Sequence, residues 1–83
     1  MTRAEVEEQW EGEELLFCDG FDDCIIGVTG GLEPVVAYDA DKMIESLMVD
    51  GLDLDEALEH HSFNISGAYV GPKTPVYIWG VRS

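Results

Sequence analysis

The sequence predicts a small α+β domain in which an antiparallel sheet of about four strands packs against an αα-hairpin. Three observations lead to this prediction. Short apolar runs between turn residues occupy residues 15–38, two segments with helical spacing of apolar residues follow, and a last apolar run lies at residues 76–79. The resulting order is α-β-β-β-α-α-β. Strands followed by helices are typical of an antiparallel sheet that helices cover on one face.

Length and composition predict one soluble domain over residues 1–83. The chain has 83 residues, of which 46% are hydrophobic, and this suits a modest core. No apolar run approaches the roughly 18 residues of a membrane-spanning helix, and the acidic N-terminus lacks the apolar stretch of a signal peptide. We therefore expect a cytoplasmic protein. Cys18 and Cys24 are interpreted as reduced, buried or half-buried residues, although a bridge is possible if the backbone brings them together.

Residues 1–14 are predicted to form an acidic N-terminal helix, and residues 15–83 the α+β core. Thr2 and Glu5 have the spacing of a capping box, and Gly12 is a suitable stop. Three glutamates share one face of this helix: Glu7, Glu11 and Glu14. Because like charges at helical spacing oppose the helix, we expect frayed ends and a solvent-exposed surface.

The core is predicted to begin with three short strands. The apolar runs at residues 15–18 and 24–28 flank an Asp-rich turn at residues 19–23, which is typical of a hairpin or a tight corner. A glycine-containing turn then leads to a third apolar run at residues 35–38. Pro34 lacks an N–H, so it is expected at a strand start or at a sheet edge.

Two helices follow and are predicted to form the αα-hairpin. Asp39 is the expected N-cap of the first helix, and Gly51 ends it in a position suited to left-handed backbone geometry. Four apolar residues form its predicted buried stripe: Met43, Ile44, Leu47 and Met48. Asp53 caps the second helix, and Glu56 completes a capping box. The chain is expected to leave this helix at Phe63 and to reach the closing strand through a loop rich in glycine and proline.

Three groups of residues could be taken for metal sites, and each has a simpler interpretation. A divalent cation could lie in the Asp-rich turn at residues 19–23, but the spacing is not that of an EF-hand, and a polar turn explains it. Segment 50–56 resembles a calcium loop, yet helix capping explains its glycine and acids. His60 and His61 could bind zinc only with further ligands, and no finger spacing supplies them; His61 is interpreted as a residue at a helix end or core edge.

Catalytic patterns are also incomplete in this sequence. No serine lies in a nucleophile elbow, and the glycine pairs are not followed by the lysine and serine of a phosphate loop. We therefore predict a protein that is not an enzyme, with no catalytic residue, no metal and no cofactor.

The net charge of −14, from 18 acidic and four basic residues, is the most unusual property of the chain. Such a charge repels phosphate backbones and anionic membranes, so we expect no direct nucleic-acid binding and no membrane partner. It attracts proteins with a basic surface. Solubility alone, or a salt-rich environment, is the alternative explanation.

The predicted binding residues combine carboxylates with two aromatic residues that are expected to be exposed. One aromatic residue lies in the Asp-rich turn and the other lies between glycines. An exposed ring among carboxylates suits a binding hot spot, although a loop anchor packed on the core is the alternative. The predicted set is Glu7, Glu11, Glu14, Asp19, Phe21, Asp22, Asp23 and Tyr69.

Several strings along residues 15–79 form a pattern. They are Gly20-Phe21-Asp22-Asp23, Ile25-Ile26-Gly27, Tyr38-Asp39 leading into Lys42-Met43-Ile44, Glu56-Ala57, and Phe63-Asn64-Ile65-Ser66-Gly67-Ala68-Tyr69-Val70-Gly71 with Thr74-Pro75. This pattern resembles a family of small proteins encoded by tailed phages and prophages. The family has no established activity, so the resemblance implies no catalytic residue. It implies an accessory protein that acts inside a bacterial cell, with segment 5–14 outside the similar part.

Two functions from different classes are compatible with these observations. The first is a phage-encoded inhibitor that binds a host protein, such as one that handles nucleic acid or acts in defence. Its surface carboxylates, at spacings near those of phosphates, would occupy a basic groove of that host protein. The alternative is a structural or assembly accessory that forms homo-oligomers through an apolar strand edge at residues 76–79.

Overall fold

The structure, a computed structural model, describes residues 1–81 and has the predicted α+β fold. Within these residues the α-helices are α1 (Arg3–Gln9), α2 (Ala40–Val49) and α3 (Leu54–His60). A short 3₁₀ helix at Asp22–Cys24 precedes the sheet, and a π-helix at His61–Ser66 continues α3. The strands of the described part are β1 (Ile25–Val28), β2 (Val36–Asp39) and β3 (Val76–Ile78), and they form one mixed sheet.

The sheet has the order β1-β2-β3, with β2 in the centre. β1 and β2 are antiparallel, with an irregularity in the pairing between Ile25 and Gly27. β3 runs parallel to β2, and Tyr77 lies opposite Tyr38. Parallel neighbours need a long crossover connection, and the helical segment between β2 and β3 provides it.

The observed sheet differs in two details from the predicted antiparallel sheet of four strands. Residues 15–18 form no strand, and the N–H of Cys18 donates at 2.7 Å to the hydroxyl of Tyr38. The closing strand is parallel to its neighbour, because the helices return the chain to the end of the sheet at which β2 began. Pro34 lies just before the central strand β2 and leaves its ladder intact.

α1 begins as predicted. Thr2 Oγ1 accepts the N–H of Glu5 at 3.3 Å, and Glu5 Oε1 accepts the N–H of Thr2 at 3.1 Å, which completes the capping box. The helix ends at Gln9, before the predicted boundary at residue 14. Val6 is its buried residue, so little packing supports further turns.

The early end of α1 separates the three glutamates that were predicted to share a helical face. Glu7 lies on α1, whereas Glu11 and Glu14 lie in the non-helical segment that follows. Repulsion among glutamates at helical spacing opposes continuation of the helix, as the sequence indicated. The prediction of one continuous glutamate face is therefore wrong.

α2 and α3 roughly match the predicted αα-hairpin, and their caps are those predicted. The Asp39 carboxylate accepts the N–H of Lys42 at 3.1 Å at the start of α2. At the start of α3, Asp53 Oδ1 accepts the N–H of Glu56 at 2.8 Å within a capping box. Gly51, between the helices, has a φ of 113°, which favours glycine.

The two helices pack through Ile44, Leu47 and Ala57. Met48 was predicted to belong to the buried stripe of α2, but its side chain is exposed. It lies beside the stripe, on a part of α2 that neither the sheet nor α3 covers. The prediction for Met43, Ile44 and Leu47 is confirmed, since all three are buried.

The π-helix is the largest local departure from the predicted secondary structure, in which the chain left the helix at Phe63. Its wider turn places the His61 side chain in the interior and leaves Phe63 exposed. Gly67 closes the segment, and a Cβ atom there would lie 2.7 Å from the carbonyl oxygen of Ser62. Any larger residue at position 67 would therefore displace the backbone.

The main core lies between the sheet, α1 and the start of α2. Its buried members are Val6, Cys24, Ile25, Val36, Tyr38 and Met43. Phe21 and Ile65 are partly buried and pack against both this cluster and the cluster between α2 and α3. These two side chains join the N-terminal part of the chain to the helical part.

Candidate functional site

Half of the acidic residues lie in residues 5–23, which we call the N-terminal acidic region. It contains nine of the 18 carboxylates and no basic residue. All nine side chains are exposed to solvent. Their positions are Glu5, Glu7, Glu8, Glu11, Glu13, Glu14, Asp19, Asp22 and Asp23.

Arg3 brings two of the predicted site residues together. Its Nε lies 3.1 Å from Glu7 Oε1, and its Nη1 lies 3.6 Å from Asp19 Oδ1. The guanidinium also lies over the ring of Phe17, 4.6 Å from the ring centroid. The loop after α1 therefore returns Asp19 to the side of Glu7. These ion pairs are solvent-exposed, so each contributes at most about 1 kcal/mol.

The two lysines of the described residues also contact oxygens of this chain. Lys73 Nζ lies 3.7 Å from Glu13 Oε2 and donates to the carbonyl of Pro34 at 3.4 Å. Lys42 Nζ donates to the carbonyl of Asp23 at 2.6 Å. Three basic side chains cannot balance the acidic region, so its surface retains a large excess of negative charge.

Asp22 and Asp23 open the 3₁₀ helix before β1. Cys24, which follows, is buried and its thiol lies 3.8 Å from Asp23 Oδ1. Burial, with the nearby Asp23 charge, raises the pKa of Cys24 to about 11. Within residues 1–81, no three side chains of His, Cys, Asp or Glu are arranged to hold a metal ion.

The two aromatic residues of the predicted set have different environments. Tyr69 is exposed, as predicted, with 76% of its surface accessible. Phe21 is half-buried, because its ring packs against both core clusters. The prediction of an exposed Phe21 is wrong, and the alternative of a loop anchor describes it.

An open cavity of about 370 Å³ lies beside the acidic region. One wall is the loop that follows α1, with Leu16, Phe17, Cys18, Asp19 and Phe21. The other wall comes from the end of α3, the π-helix and the segment leading into β3, and includes Ile65, Ala68, Val70, Pro75 and Tyr77. We call it the apolar cavity, because carbon-rich side chains make up most of both walls.

A second hollow of about 330 Å³ adjoins the apolar cavity. Its lining includes Glu56, Glu59 and the exposed ring of Phe63, and we call it the acidic hollow. His60 and Asn64 line both depressions, and their side chains lie 3.4 Å apart. The two depressions therefore share one wall, one helical turn long.

A polar cluster lies at the inner side of the apolar cavity. Cys18 Sγ lies 3.2 Å from the hydroxyl of Tyr77, and the Cys18 N–H donates to Tyr38. The rings of Tyr38 and Tyr77 are stacked with centroids 6.0 Å apart. Burial raises the pKa of both hydroxyls, that of Tyr38 to about 12, so both stay protonated near neutral pH. Both cysteines are free thiols, and their burial is as predicted, with Cys24 buried and Cys18 half-buried.

His61 lies behind this cluster and is almost completely buried. Its ring contacts Tyr77 and Trp79 edge-on, with centroids 5.2 Å and 5.4 Å away. Its Nε2 has no hydrogen-bond partner within the part of the chain that the structure describes. Burial, and secondarily the nearby His60, lower the pKa of His61 below 6.5. Of the two alternatives, a helix end or the core edge, the structure shows His61 at the end of α3, with its side chain in the interior.

Sequence reasoning predicted the acidic residues and two residues that line the cavity, Asp19 and Phe21, but it missed the other lining residues and the cavity itself. Leu16, Ala68 and Val70 are distant in sequence, and they meet only because the loop after α1 packs against the π-helix. The one signal available was the string at residues 63–71, in which asparagine, serine and glycine interrupt apolar residues.

Comparison of the chain with protein-family models, with curated proteins and with solved structures finds no match. No helix within residues 1–81 has the length and apolar character needed to cross a membrane. The chemistry of the surfaces described above is therefore the basis for assigning a function.

Proposed function

We propose that this chain is a non-enzymatic, acidic binding protein that inhibits or modulates a host protein by occupying its basic surface. The observation that supports this proposal is the density of exposed carboxylates in the N-terminal acidic region, beside an open apolar cavity. The resemblance to phage and prophage proteins makes a bacterial host protein the target. A basic groove that handles nucleic acid, or a defence protein, is the surface that fits this charge.

The negative charge of the protein surface determines which partners it attracts and which it repels. A surface of one sign attracts an oppositely charged partner and speeds association, and the effect weakens as salt screens the charges. The same charge repels nucleic acid, so the protein would compete with nucleic acid for a basic groove and would not bind the nucleic acid itself.

Affinity capture from a bacterial lysate tests the proposal. Tagged protein is immobilised, lysate is applied at low salt, and retained proteins are eluted with a salt gradient and identified by mass spectrometry. We expect a basic, nucleic-acid-handling protein that is released by about 0.5 M NaCl. Duplex DNA added to the complex should displace the chain from this partner.

Two matched variants localise the effect. The triple substitution Glu7→Gln, Glu11→Gln and Glu14→Gln removes three charges from the N-terminal acidic region. The control Glu33→Gln, Asp50→Asn and Asp55→Asn removes three exposed charges elsewhere. The first variant should capture much less of the partner protein from the lysate than the wild-type chain does. The control variant should capture as much as the wild-type chain. Equal retention by both variants, or retention that does not depend on salt, would contradict mimicry of nucleic acid.

A second candidate function, a homo-oligomeric structural or assembly accessory, is favoured by one feature of the sheet. β3 is an edge strand, and Val76 and Ile78 are 37% and 43% exposed. Unpaired backbone groups and apolar side chains at a sheet edge are a surface for pairing with a second copy. The charge of −14 on each chain opposes that association.

Light scattering coupled to gel filtration tests the second candidate. If β3 mediates self-association, the wild-type chain should form oligomers at high concentration, and Ile78→Lys should shift them to monomers. Glu33→Gln serves as a control at an exposed position outside the sheet. A wild-type chain that stays monomeric at every concentration and salt level would exclude the oligomeric function.

A further inference from the structure

The apolar cavity and the acidic hollow lie side by side on the surface beside the N-terminal acidic region. The cavity's volume of about 370 Å³ falls within the range of pockets that bury a ligand. Exposed apolar side chains border it, among them Leu16 and Val70, and the exposed Tyr69 lies between the lining residues Ala68 and Val70 in the sequence. An exposed apolar patch with a polar border is typical of a site for another macromolecule.

Carboxylates surround these apolar surfaces. Asp19 lines the apolar cavity, and Glu56 and Glu59 line the hollow on the other side of the His60–Asn64 wall. The exposed ring of Phe63 lies in the same hollow, where an aromatic face and a carboxylate together suit a cationic side chain. The charge of this surface therefore selects a basic occupant.

We infer that the apolar cavity receives one large apolar side chain, aromatic or aliphatic, from a basic segment of the partner protein, while flanking Lys or Arg side chains lie against Asp19 and the acidic hollow. This inference rests on the proposed function and adds the side chain that anchors the partner protein in the cavity. Long-range charge brings the basic surface to the acidic region, and the buried side chain supplies affinity that salt does not screen.

The anchor also explains how one small acidic protein could discriminate among basic proteins. Charge alone attracts any basic surface, whereas a cavity accepts only a segment that offers a large side chain at the correct position. Burial of one large apolar side chain corresponds to a preference of about tenfold or more.

A matched pair of peptides tests the inference. Both contain only lysine and glycine apart from one central residue, which is tryptophan in the first peptide and alanine in the second. Their affinities are measured by isothermal titration calorimetry at low and at high salt. We expect the wild-type chain to bind the tryptophan peptide about tenfold more tightly, and we expect this ratio to persist as salt weakens both interactions.

Substitutions at Ala68 locate the preference in the cavity. Ala68 is exposed and lines the cavity, so Ala68→Phe fills the space without disturbing the core, and Ala68→Ser leaves it open. Ala68→Phe should bind both peptides with the affinity that the wild-type chain has for the alanine peptide. Ala68→Ser should keep the tryptophan preference.

Alkylation of Cys18 provides a second readout. Cys18 lines the cavity, whereas Cys24 is buried and its raised pKa keeps it protonated and unreactive. The tryptophan peptide should slow the reaction of Cys18 with iodoacetamide, and the alanine peptide should not. Equal protection by both peptides would contradict an anchor in the cavity.

The outcomes separate this inference from the proposed function. Equal, salt-dependent affinities for the two peptides would overturn the anchor and leave the acidic binding surface in place. Weaker binding of both peptides by the variant Glu7→Gln, Glu11→Gln and Glu14→Gln, with the preference of the wild-type chain for the tryptophan peptide intact, would support both. If neither peptide binds the wild-type chain, both the anchor and the proposed function are wrong.

Discussion

Two buried polar side chains, Tyr38 and His61, hold the sheet to the segments that pack against it. The Tyr38 hydroxyl accepts the N–H of Cys18 at 2.7 Å and so fixes the loop after α1 over the central strand. His61 fixes the π-helix against β3 through its contacts with Tyr77 and Trp79, but its Nε2 is left without a partner in the described structure. An unsatisfied buried nitrogen lowers stability by about 1–3 kcal/mol.

We expect His61 to make the stability of the protein depend on pH. Because its pKa is lowered below 6.5 in the folded chain and returns to about 6.5 on unfolding, the unfolded chain binds the proton first as the pH falls. The contribution of His61 to the free energy of unfolding is therefore fully present above pH 6.5 and is lost as the pH falls below it. Chemical denaturation followed by circular dichroism between about pH 5 and pH 7.5 measures this change.

The variant His61→Phe separates this effect from titration of the carboxylates. It keeps a ring against Tyr77 and Trp79 and removes the unsatisfied nitrogen, so we expect its free energy of unfolding at pH 7 to rise by about 1 kcal/mol. Its stability should fall less than that of the wild-type chain below pH 6.5. His60→Gln removes an exposed histidine whose effect on the pKa of His61 is secondary to burial, so it should keep most of the wild-type pH dependence. Identical pH profiles for wild type and His61→Phe would show that His61 is not responsible.

At the scale of secondary structure, the features that could be predicted are those with a local cause. Both predicted capping boxes, the Asp39 cap and the left-handed Gly51 depend on residues within four positions of one another, and all are present. The segment at residues 15–18 looked like a strand because it is apolar. The N–H of Cys18 instead donates to the hydroxyl of Tyr38, which is 20 residues away, and no local pattern reveals this contact.

The same distinction applies to the candidate site. The acidic residues could be predicted because their number and spacing are visible in the sequence. The apolar cavity could not be predicted, since its walls come from residues 16–21 and 60–77, which are distant in sequence and are separated by α2 and most of α3. Phe21 was predicted to be exposed because it lies among aspartates. Its ring turns inward because both core clusters offer it apolar contacts.

For the whole molecule, the dominant property is the repulsion among its own negatively charged side chains. A charge of −14 on a chain of 83 residues favours any state in which the charges are farther apart, and unfolding is such a state. We expect the midpoint of thermal unfolding to rise as NaCl is raised toward 1 M, where the screening length falls to about 3 Å. For a domain of this size, about 1 kcal/mol of relieved repulsion corresponds to a rise of about 4–8 °C.

The charge variants provide the control for this prediction. Both triple variants carry three fewer negative charges. At low salt, their midpoints of thermal unfolding should therefore be higher than that of the wild-type chain, and added NaCl should raise these midpoints less. A midpoint that stays constant or falls with NaCl would show that the ion pairs of Arg3 and Lys73 stabilise the fold more than the excess carboxylates destabilise it.

The parallel pairing of β3 with β2 has a consequence for the order in which the chain folds. β1 and β2 are joined by residues 29–35 and can form early, because closing a short loop costs little entropy. β3 can join only after residues 40–75 have compacted, so the sheet is completed by its least local contact. Before that step the lining of the apolar cavity is incomplete, because Pro75 and Tyr77 belong to it. We therefore expect the apolar cavity, which Tyr77 of β3 helps to line, to be among the last parts of the molecule to form and among the first to open when the native state fluctuates.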